Sequence, residues 1–523
     1  MDNFRLSRLS NLLITAFENE HKQSQTQNGI NVNPFVSEIA TWYERLRNVM
    51  DYREKEVARR AAIERILKRR LIFGGDGEKI AGPLIRELLW ARYFPDSSIT
   101  ENEVSKVAKI IDLYLELREE IINKRLHNID TDGLIYQLLS SRIEIMLNKN
   151  RDIDRISNFI FHILKQNIII TDDKKENKDI QVFIAIRRTF AKDDRAFLYY
   201  HLFDQYFGEL NDHNLPKVVS NFRDGYQEVT RQLNYKLKDR IASYVKKELP
   251  PFLIFGDVMQ RQRGEIRSLI KDTKKFQEVI YKTAGVRYRT IKDKVQRAII
   301  RAVIFILLTK FVFAFSVEAA YDNLFLGRIA WVPIAINIFV PPFLMVIASL
   351  LIKTPDRRNT KRIYDRILNI LSHDEPTLGR PLVLSLRPDR RHPILNTIFM
   401  LLGWVAFVLS FGFIIFILSR LDFSIASTGI FIFFMAMIAF FTYRISQTAR
   451  SYTVEEKPGL FAPIFDFFFM PIIRLGRGLT EGLSQLNVFI YIFDYLIETP
   501  FKEIFRFLEQ WFFFLQTKRE ELG

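Results

Sequence analysis

The sequence predicts an all-α protein: a helical cytoplasmic bundle, a four-helix transmembrane domain and an amphipathic C-terminal tail. Two observations lead to this fold class. Four apolar segments lie after residue 297, and each is long enough to cross about 30 Å of hydrocarbon as a helix. Before residue 290, apolar residues recur with helical rather than strand periodicity. The 47 Phe residues are concentrated in the second half.

Residues 1–290 are expected to form the cytoplasmic domain. Its longer helices are predicted at 34–70, 100–124, 131–148, 151–168, 179–209, 216–247 and 265–286. The Pro250–Pro251 pair is expected to end the sixth of these helices. The polar loop at 171–179 is a candidate division of the domain.

The glycine-rich stretch at 73–83 is predicted to connect two helices. It lacks the G-x-x-x-x-G-K-S/T spacing of a phosphate-binding loop, and no strand pattern precedes it. Gly and Pro there are expected to end one helix and start the next.

The apolar half predicts two transmembrane hairpins, at 291–353 and 393–445. Their spans are placed at 298–317, 329–352, 394–418 and 425–443. The stretch between the first two spans is too short to fold alone. The stretch between the hairpins, 354–392, is predicted to be a basic cytoplasmic loop, because residues 353–392 hold ten Lys and Arg against five Asp and Glu.

Basic residues near the ends of the spans predict the orientation. Lys and Arg close to a span mark its cytoplasmic side. These membrane-edge residues are Arg287, Arg289, Lys292, Lys294, Arg297, Arg301, Arg357, Arg358, Lys361 and Arg362. We therefore expect a multi-pass protein of the cell (inner or plasma) membrane with both termini in the cytoplasm, and with Asp322 and Asp422 outside.

Residues 446–523 are predicted to be a cytoplasmic or interfacial tail. The apolar run at 459–475 is interrupted by Pro463, Asp466 and Pro471, which suits a re-entrant or interfacial segment better than a span. A final helix at 501–518 has one aromatic and one charged face, so it fits either the headgroup plane or the soluble domain.

One charge, Lys310, lies deep in a predicted span. A central lysine is tolerated only with a partner, a wet cavity or snorkelling. Reflection through the hairpin turn brings Asn337 to a similar depth, and Pro341 and Pro342 are expected to break the second span and release carbonyls. We predict that Lys310 bonds Asn337 or one of these carbonyls, either as a structural clamp or as an anion or proton site.

Small residues on the third span predict a helix contact. Gly403, Ala406 and Ser410 form a stripe where another helix can approach closely. Packing is the interpretation that we prefer for it.

No catalytic motif is found, and neither a cofactor nor a metal site is predicted. The chain has no Cys, which removes disulfides and cysteine-ligated metals. No two of its seven His residues form a His-x-x-x-His pair. His201 with Asp193, Asp194 and Asp204 is better explained as the polar rim of an amphipathic helix.

The net charge of +16 suggests partners. For a basic domain beside a lipid bilayer, anionic headgroups are the simplest partner. Nucleic acid is disfavoured, because acidic residues are interleaved with the basic ones along the helices. An unidentified protein partner and a homo-oligomer both remain compatible with the pattern.

The segment WVPIAINIFVPPFLM (331–345), followed by TPDRRNTKRIYDRI (354–367), resembles polytopic membrane proteins of unassigned function from small-genome bacteria. The resemblance covers about a third of the chain, and it implies no functional residues.

The sequence thus favours a membrane-anchored scaffold or adaptor, which presents a basic cytoplasmic domain to a protein partner or to the inner leaflet. The alternative is a small oligomeric transporter or channel that uses polar groups in the first hairpin. An enzyme, for instance one acting on lipid, ranks third.

Overall fold

The chain is predominantly α-helical, which confirms the predicted fold class. The computed structural model describes residues 5–21, 29–30, 37–38, 40–41, 55–72, 74–124, 130–327, 329–350, 352, 354–376, 378–387, 393–454, 462–484 and 511. Within those residues a helical region precedes four helices that are long and apolar enough to cross a membrane. The predicted helix at 501–518 lies outside the described residues apart from Trp511.

The helices of the soluble region are α1 (Arg8–His21), α2 (Lys55–Leu71), α3 (Gly77–Trp90), α4 (Glu101–Asn123), α5 (Thr131–Leu147), α6 (Asp152–Leu164), α7 (Lys175–Ile186), α8 (Arg195–Phe207), α9 (Leu215–Leu233), α10 (Lys238–Glu248), α11 (Pro250–Arg261) and α12 (Ile266–Lys271). The later helices are α13 (Thr273–Phe313), α14 (Trp331–Leu350), α15 (Arg357–Ser372), α16 (Pro393–Arg420), α17 (Ile425–Ala449) and α18 (Ala462–Ser484).

Several predicted helices are divided in the structure. The helix expected at 216–247 is α9 and α10, separated by a turn at 234–237. The helix expected at 179–209 is interrupted by a π-helical segment, Arg187–Ala191, and then by Lys192 in the left-handed region. Pro250 and Pro251 begin α11. Proline suits the first turn of a helix, because the N–H that it lacks has no intrahelical partner there.

The glycine-rich stretch is partly helical, so the prediction for 73–83 was wrong beyond its first residues. The α3 helix begins at Gly77, with the Asp76 side chain as its N-cap, and it continues through Pro83. Pro83 removes one helical hydrogen bond. Burial of Leu84 and Leu88 on the same helix offsets that loss.

The soluble region contains two apolar cores. One is built from α2 to α5, α8 and α9, and the other from α1, α6, α7 and the helices after α9. The α7 helix contributes Ile184 to the first core and Val182 to the second. The loop expected at 171–179 does not separate two independent cores, because α6 before it and α7, which begins at Lys175, both contribute to the second core.

Residues 354–392 were predicted to be a loop, and the structure corrects this. The α15 helix buries Ile363, Ile367 and Leu371 in the second soluble core. A short strand β2 (Leu382–Leu384) then pairs in parallel with β1 (Ile168–Ile170). The basic residues of α15 lie on its outer face. The prediction rested on these charges and did not use the apolar residues that recur at helical spacing on the opposite face.

The α13 helix belongs to the soluble region and to the apolar region together. Its first turns place Phe276, Ile280 and Ala284 in the second soluble core. Farther along, Ile291 and Ile306 enter a core shared with α14 and α17. The helix then continues through two π-helical turns, so the helical stretch from 273 to 325 has 53 residues.

The apolar region is built around α17. The α14 and α13 helices pack on one side of it, through Met345, Phe434 and Ile438. The α18 helix packs on α17 and on α16, and Gly476 lies directly against the Ala436 carbonyl, where any Cβ would collide. The run at 459–475, expected to be re-entrant or interfacial, therefore forms one continuous helix from residue 462 and does not fold back within it.

Candidate functional site

A polar cluster is enclosed among the apolar helices α13, α14 and α17. It consists of Lys310, Glu318, Asp322 and Asn337, and each of these side chains is fully buried. We call this set the buried polar cluster. Ionisable groups in such surroundings are costly, and they mark function or a specific structural requirement.

Lys310 is held by an amide and by two aromatic rings. Its Nζ donates to Asn337 Oδ1, which is the contact that the sequence predicts. The same nitrogen lies 4.3 Å from the ring centroid of Phe434 and 6.0 Å from that of Phe431 on α17. A cation over an aromatic face is stabilised by the ring quadrupole, more strongly where water is absent.

Asn337 joins the cation to a carboxylate. Its Nδ2 donates to Glu318 Oε1 at 2.7 Å and to the Ser427 carbonyl at 3.1 Å. The amide thus binds Lys310 through its oxygen and Glu318 through its nitrogen. Because Ser427 belongs to α17, one side chain on α14 connects three helices.

Glu318 reaches the cluster because the helix after α13 widens. Around a regular α-helix, eight positions at about 100° each would put Glu318 roughly 80° away from Lys310. The segment Ala314–Glu318 is a π-helix, which accommodates one extra residue and brings Glu318 to within roughly 20° of Lys310. The connection expected at 318–328 is therefore helical through 326, and α14 begins at Trp331.

Asp322 lies one turn farther along the same helix, at the start of a second π-helical segment. The sequence places it outside the membrane, yet its side chain is fully buried. Its Oδ2 accepts weakly from the Ala330 N–H at 3.4 Å. Asp422, also expected outside, lies exposed in the turn between α16 and α17.

Pro341 and Pro342 do not break α14, so the predicted helix break was wrong. The helix runs continuously from Trp331 to Leu350 with both prolines buried inside it. The prolines withdraw the donors that the carbonyls of Asn337 and Ile338 would receive. Packing against α13 and α17 keeps the backbone helical around this gap.

The predicted membrane-edge basic residues gather where α13 and α15 lie side by side. Arg289, Lys292, Lys294, Arg297 and Arg301 are exposed on α13, and Arg357, Arg358, Lys361 and Arg362 are exposed on α15. We call these nine residues the basic collar. Arg287 differs from them, because it binds both carboxylate oxygens of Asp257, and this ion pair raises the pKa of its guanidinium.

The predicted packing stripe of Gly403, Ala406 and Ser410 is only partly buried. Ala406 and Ser410 are buried, and Ser410 Oγ donates to the Phe468 carbonyl of α18 at 2.8 Å. Gly403 is exposed and has no neighbouring atom within 4 Å of an added Cβ. The stripe therefore contacts α18 through Ser410.

In the soluble region, His201 lies 3.5 Å from Asp193, which pairs with Arg187 at 2.6 Å. Arg187 also binds Asp154 at 2.5 Å. This charged network occupies the junction of the two soluble cores. Among the described residues, no group of three or more His, Asp or Glu side chains is placed to hold a metal ion.

Sequence reasoning found Lys310 and Asn337 but missed Glu318, Asp322 and the Phe434 ring. The sequence did not indicate the π-helical conformation of Ala314–Glu318. The stretch 318–328 was expected to be a short connection with Asp322 outside the membrane, and only a widened helix turns Glu318 toward Lys310. No family model, no curated protein and no solved structure matches this chain, so the family resemblance of the first hairpin stays a prediction.

Proposed function

We propose that the protein is a membrane-anchored scaffold that holds its helical domain in a fixed orientation against the anionic inner leaflet of the cell membrane. The observation that carries this proposal is α13, a single helix whose residues are buried in a soluble core at one end and in the apolar core at the other. A continuous helix transmits orientation, whereas a flexible linker would not.

The packing supports the proposed topology. Residues 354–387 and Val454 share a core with the N-terminal domain, so they lie on the same side of the apolar helices as that domain. Gly327, after the π-helical segment that continues α13, and the turn at 421–424, after α16, lie at the opposite ends of those helices. The basic collar lies on the domain's side, and under the positive-inside rule this supports a cytoplasmic location for that side.

The basic collar supplies the contact with lipid. Exposed Lys and Arg beside an anionic surface contribute roughly 1 kcal/mol each, and salt weakens the attraction. The proposal therefore expects the full chain to unfold at a higher temperature in nanodiscs containing anionic lipid than in purely zwitterionic ones.

A charge-neutralising variant tests this contact. R289Q/K292Q/K294Q should lose most of the rise in unfolding temperature that anionic lipid gives. K106Q/K109Q should keep it, because these two exposed lysines lie on α4, far from the basic collar in sequence. Equal behaviour of the two variants would contradict the lipid contact and would leave an unidentified protein partner as the object of the scaffold.

A transporter or channel is the second candidate, and the buried polar cluster favours it. Four spans provide little wall for a pathway in one copy, so transport would favour an oligomer. Ion or proton flux through reconstituted vesicles, lost in K310M while folding is retained, would support this candidate. Absence of flux with wild-type protein would remove it.

A further inference from the structure

The buried polar cluster contains one more acidic group than basic groups. Lys310 is its cation, and Glu318 and Asp322 are its carboxyl groups. With all three ionised, the cluster would carry a net charge of −1. An isolated charge in an apolar interior is costly, and a buried carboxyl group is commonly neutralised by a proton.

No other charge among the described residues packed around the cluster balances this excess. The α14 helix has no ionisable side chain at all. On α17 the sole charged residue is Arg444, exposed and 17 positions beyond Ser427. Tyr321, half-buried between the two carboxyl groups in sequence, stacks on Phe325 with 4.8 Å between ring centroids.

Both carboxyl groups have an oxygen that is ready to carry a hydrogen. Glu318 Oε1 accepts from Asn337, but Glu318 Oε2 is buried with no hydrogen-bond partner among the described residues. Asp322 is arranged likewise: Oδ2 accepts from the Ala330 N–H, and Oδ1 is buried without a partner in that part of the chain. A proton on either free oxygen costs no existing hydrogen bond.

We propose that the buried polar cluster is a proton-binding site, which holds one proton on either Glu318 or Asp322. Binding takes H⁺ from a hydronium ion, forms an O–H bond on a carboxyl oxygen and releases water. The net charge of the cluster changes from −1 to zero. Asn337 stays hydrogen-bonded to the Lys310 ammonium and to the Glu318 carboxyl group in both protonation states. This inference does not depend on the scaffold proposal.

Infrared spectroscopy of the full chain in nanodiscs tests the site. A protonated carboxyl group has a C=O stretching band that a carboxylate lacks, and the band shifts in D₂O when the proton exchanges. Burial raises the pKa of Glu144 in the soluble region to about 7, so every measurement is made in the E144Q background. The cluster should then show an exchangeable band at neutral pH.

Variants and isotope labels assign the band. It should be lost or strongly reduced in E318Q or in D322N, and it should persist in E375Q, which alters an exposed carboxyl group. If E318Q or D322N fails to fold, the folded protein labelled with ¹³C-carboxyl Glu or Asp gives the same assignment, because the label shifts the band without changing a contact.

Three results would overturn the proposal. The first is no such band in the E144Q protein at neutral pH, and the second is a band that neither the variants nor the labels move. The third is a band that disappears when Na⁺ is added at constant pH, because the cluster would then bind a metal cation in preference to a proton.

Discussion

Asn359 donates a hydrogen bond from Nδ2 to the hydroxyl oxygen of Tyr288 at 2.8 Å, at the point where α13 leaves the soluble core. The same amide donates to the Tyr452 carbonyl, and its Oδ1 accepts from the Val454 N–H, both at 2.8 Å. Asn359 follows the first apolar hairpin and Tyr452 follows the second. One buried amide therefore fastens both returning segments to α13.

Removing this amide should loosen the junction between the two regions. Asn359→Ala leaves the Tyr452 carbonyl and the Val454 N–H without this partner, which costs about 1–3 kcal/mol for each group that water cannot reach. We expect a clearly lower unfolding temperature, a smaller loss for Tyr288→Phe, and almost none for Asn221→Ala at an exposed site. Thermal unfolding of the purified chain compares the three variants. If Asn359→Ala lowers the unfolding temperature no more than Asn221→Ala does, Asn359 does not hold the junction together.

The buried polar cluster should behave as one energetic unit. Lys310→Met leaves two carboxyl groups without their cation, and breaking a buried charged arrangement typically costs about 3–5 kcal/mol. Adding Glu318→Gln removes one of those carboxyl groups. The free energy of unfolding of the double variant should therefore exceed that of Lys310→Met by at least about 1 kcal/mol.

Lys292→Met, exposed on the same helix, is the matched control and should be nearly neutral. Unfolding in detergent, followed by tryptophan fluorescence, compares the four proteins. If Glu318→Gln lowers the stability of the Lys310→Met protein further, the two side chains do not stabilise each other as described.

Glu144 should make the soluble region less stable as the pH rises. Burial raises its pKa from 4.5 to about 7, and Arg59, which bonds its Oε1 at 2.8 Å, offsets part of that rise. Between these two pH values the folded chain binds more protons than the unfolded chain. The stability contributed by this group is therefore complete below pH 4.5 and falls as the pH rises through 7.

Glu144→Gln should remove that dependence. The free energy of unfolding of the wild type, relative to the variant, should fall by about 1–3 kcal/mol between pH 4.5 and pH 8. Parallel curves for the two proteins across this range would show that Glu144 ionises normally.

Cysteine substitution can establish the topology, because the chain has no Cys of its own. Leu324 is 77% exposed in the π-helical segment Asp322–Leu326, so Leu324→Cys should react with an impermeant thiol reagent in intact cells. Glu375→Cys, in the segment after α15, should react only after the membrane is permeabilised. The reverse pattern would mean that the orientation is inverted.

The sequence was sufficient for the fold class, the four apolar helices and the Lys310–Asn337 contact. Length, apolarity and helical periodicity decide the fold class and the apolar helices, and all three are local properties of the chain. The Lys310–Asn337 contact followed instead from the similar depth of the two residues on either side of the hairpin turn. The buried role of α15 was not recognised, because its charged outer face dominated the composition. Glu318 and Asp322 were missed for a different reason: π-helical turns depend on tertiary packing, and no residue pattern specifies them.

The rigidity of α13 is the central claim, and a distance measurement tests it most directly. Val286 is exposed just before the basic collar, and Leu324 is exposed near the end of the helical stretch from 273 to 325. Spin labels at Val286→Cys and Leu324→Cys would be about 55 Å apart along an unbroken helix. Pulsed electron paramagnetic resonance in nanodiscs should give one narrow distribution near that distance. A broad distribution, or one centred at a much shorter distance, would mean that the helix breaks at the membrane edge and cannot hold the domain in place.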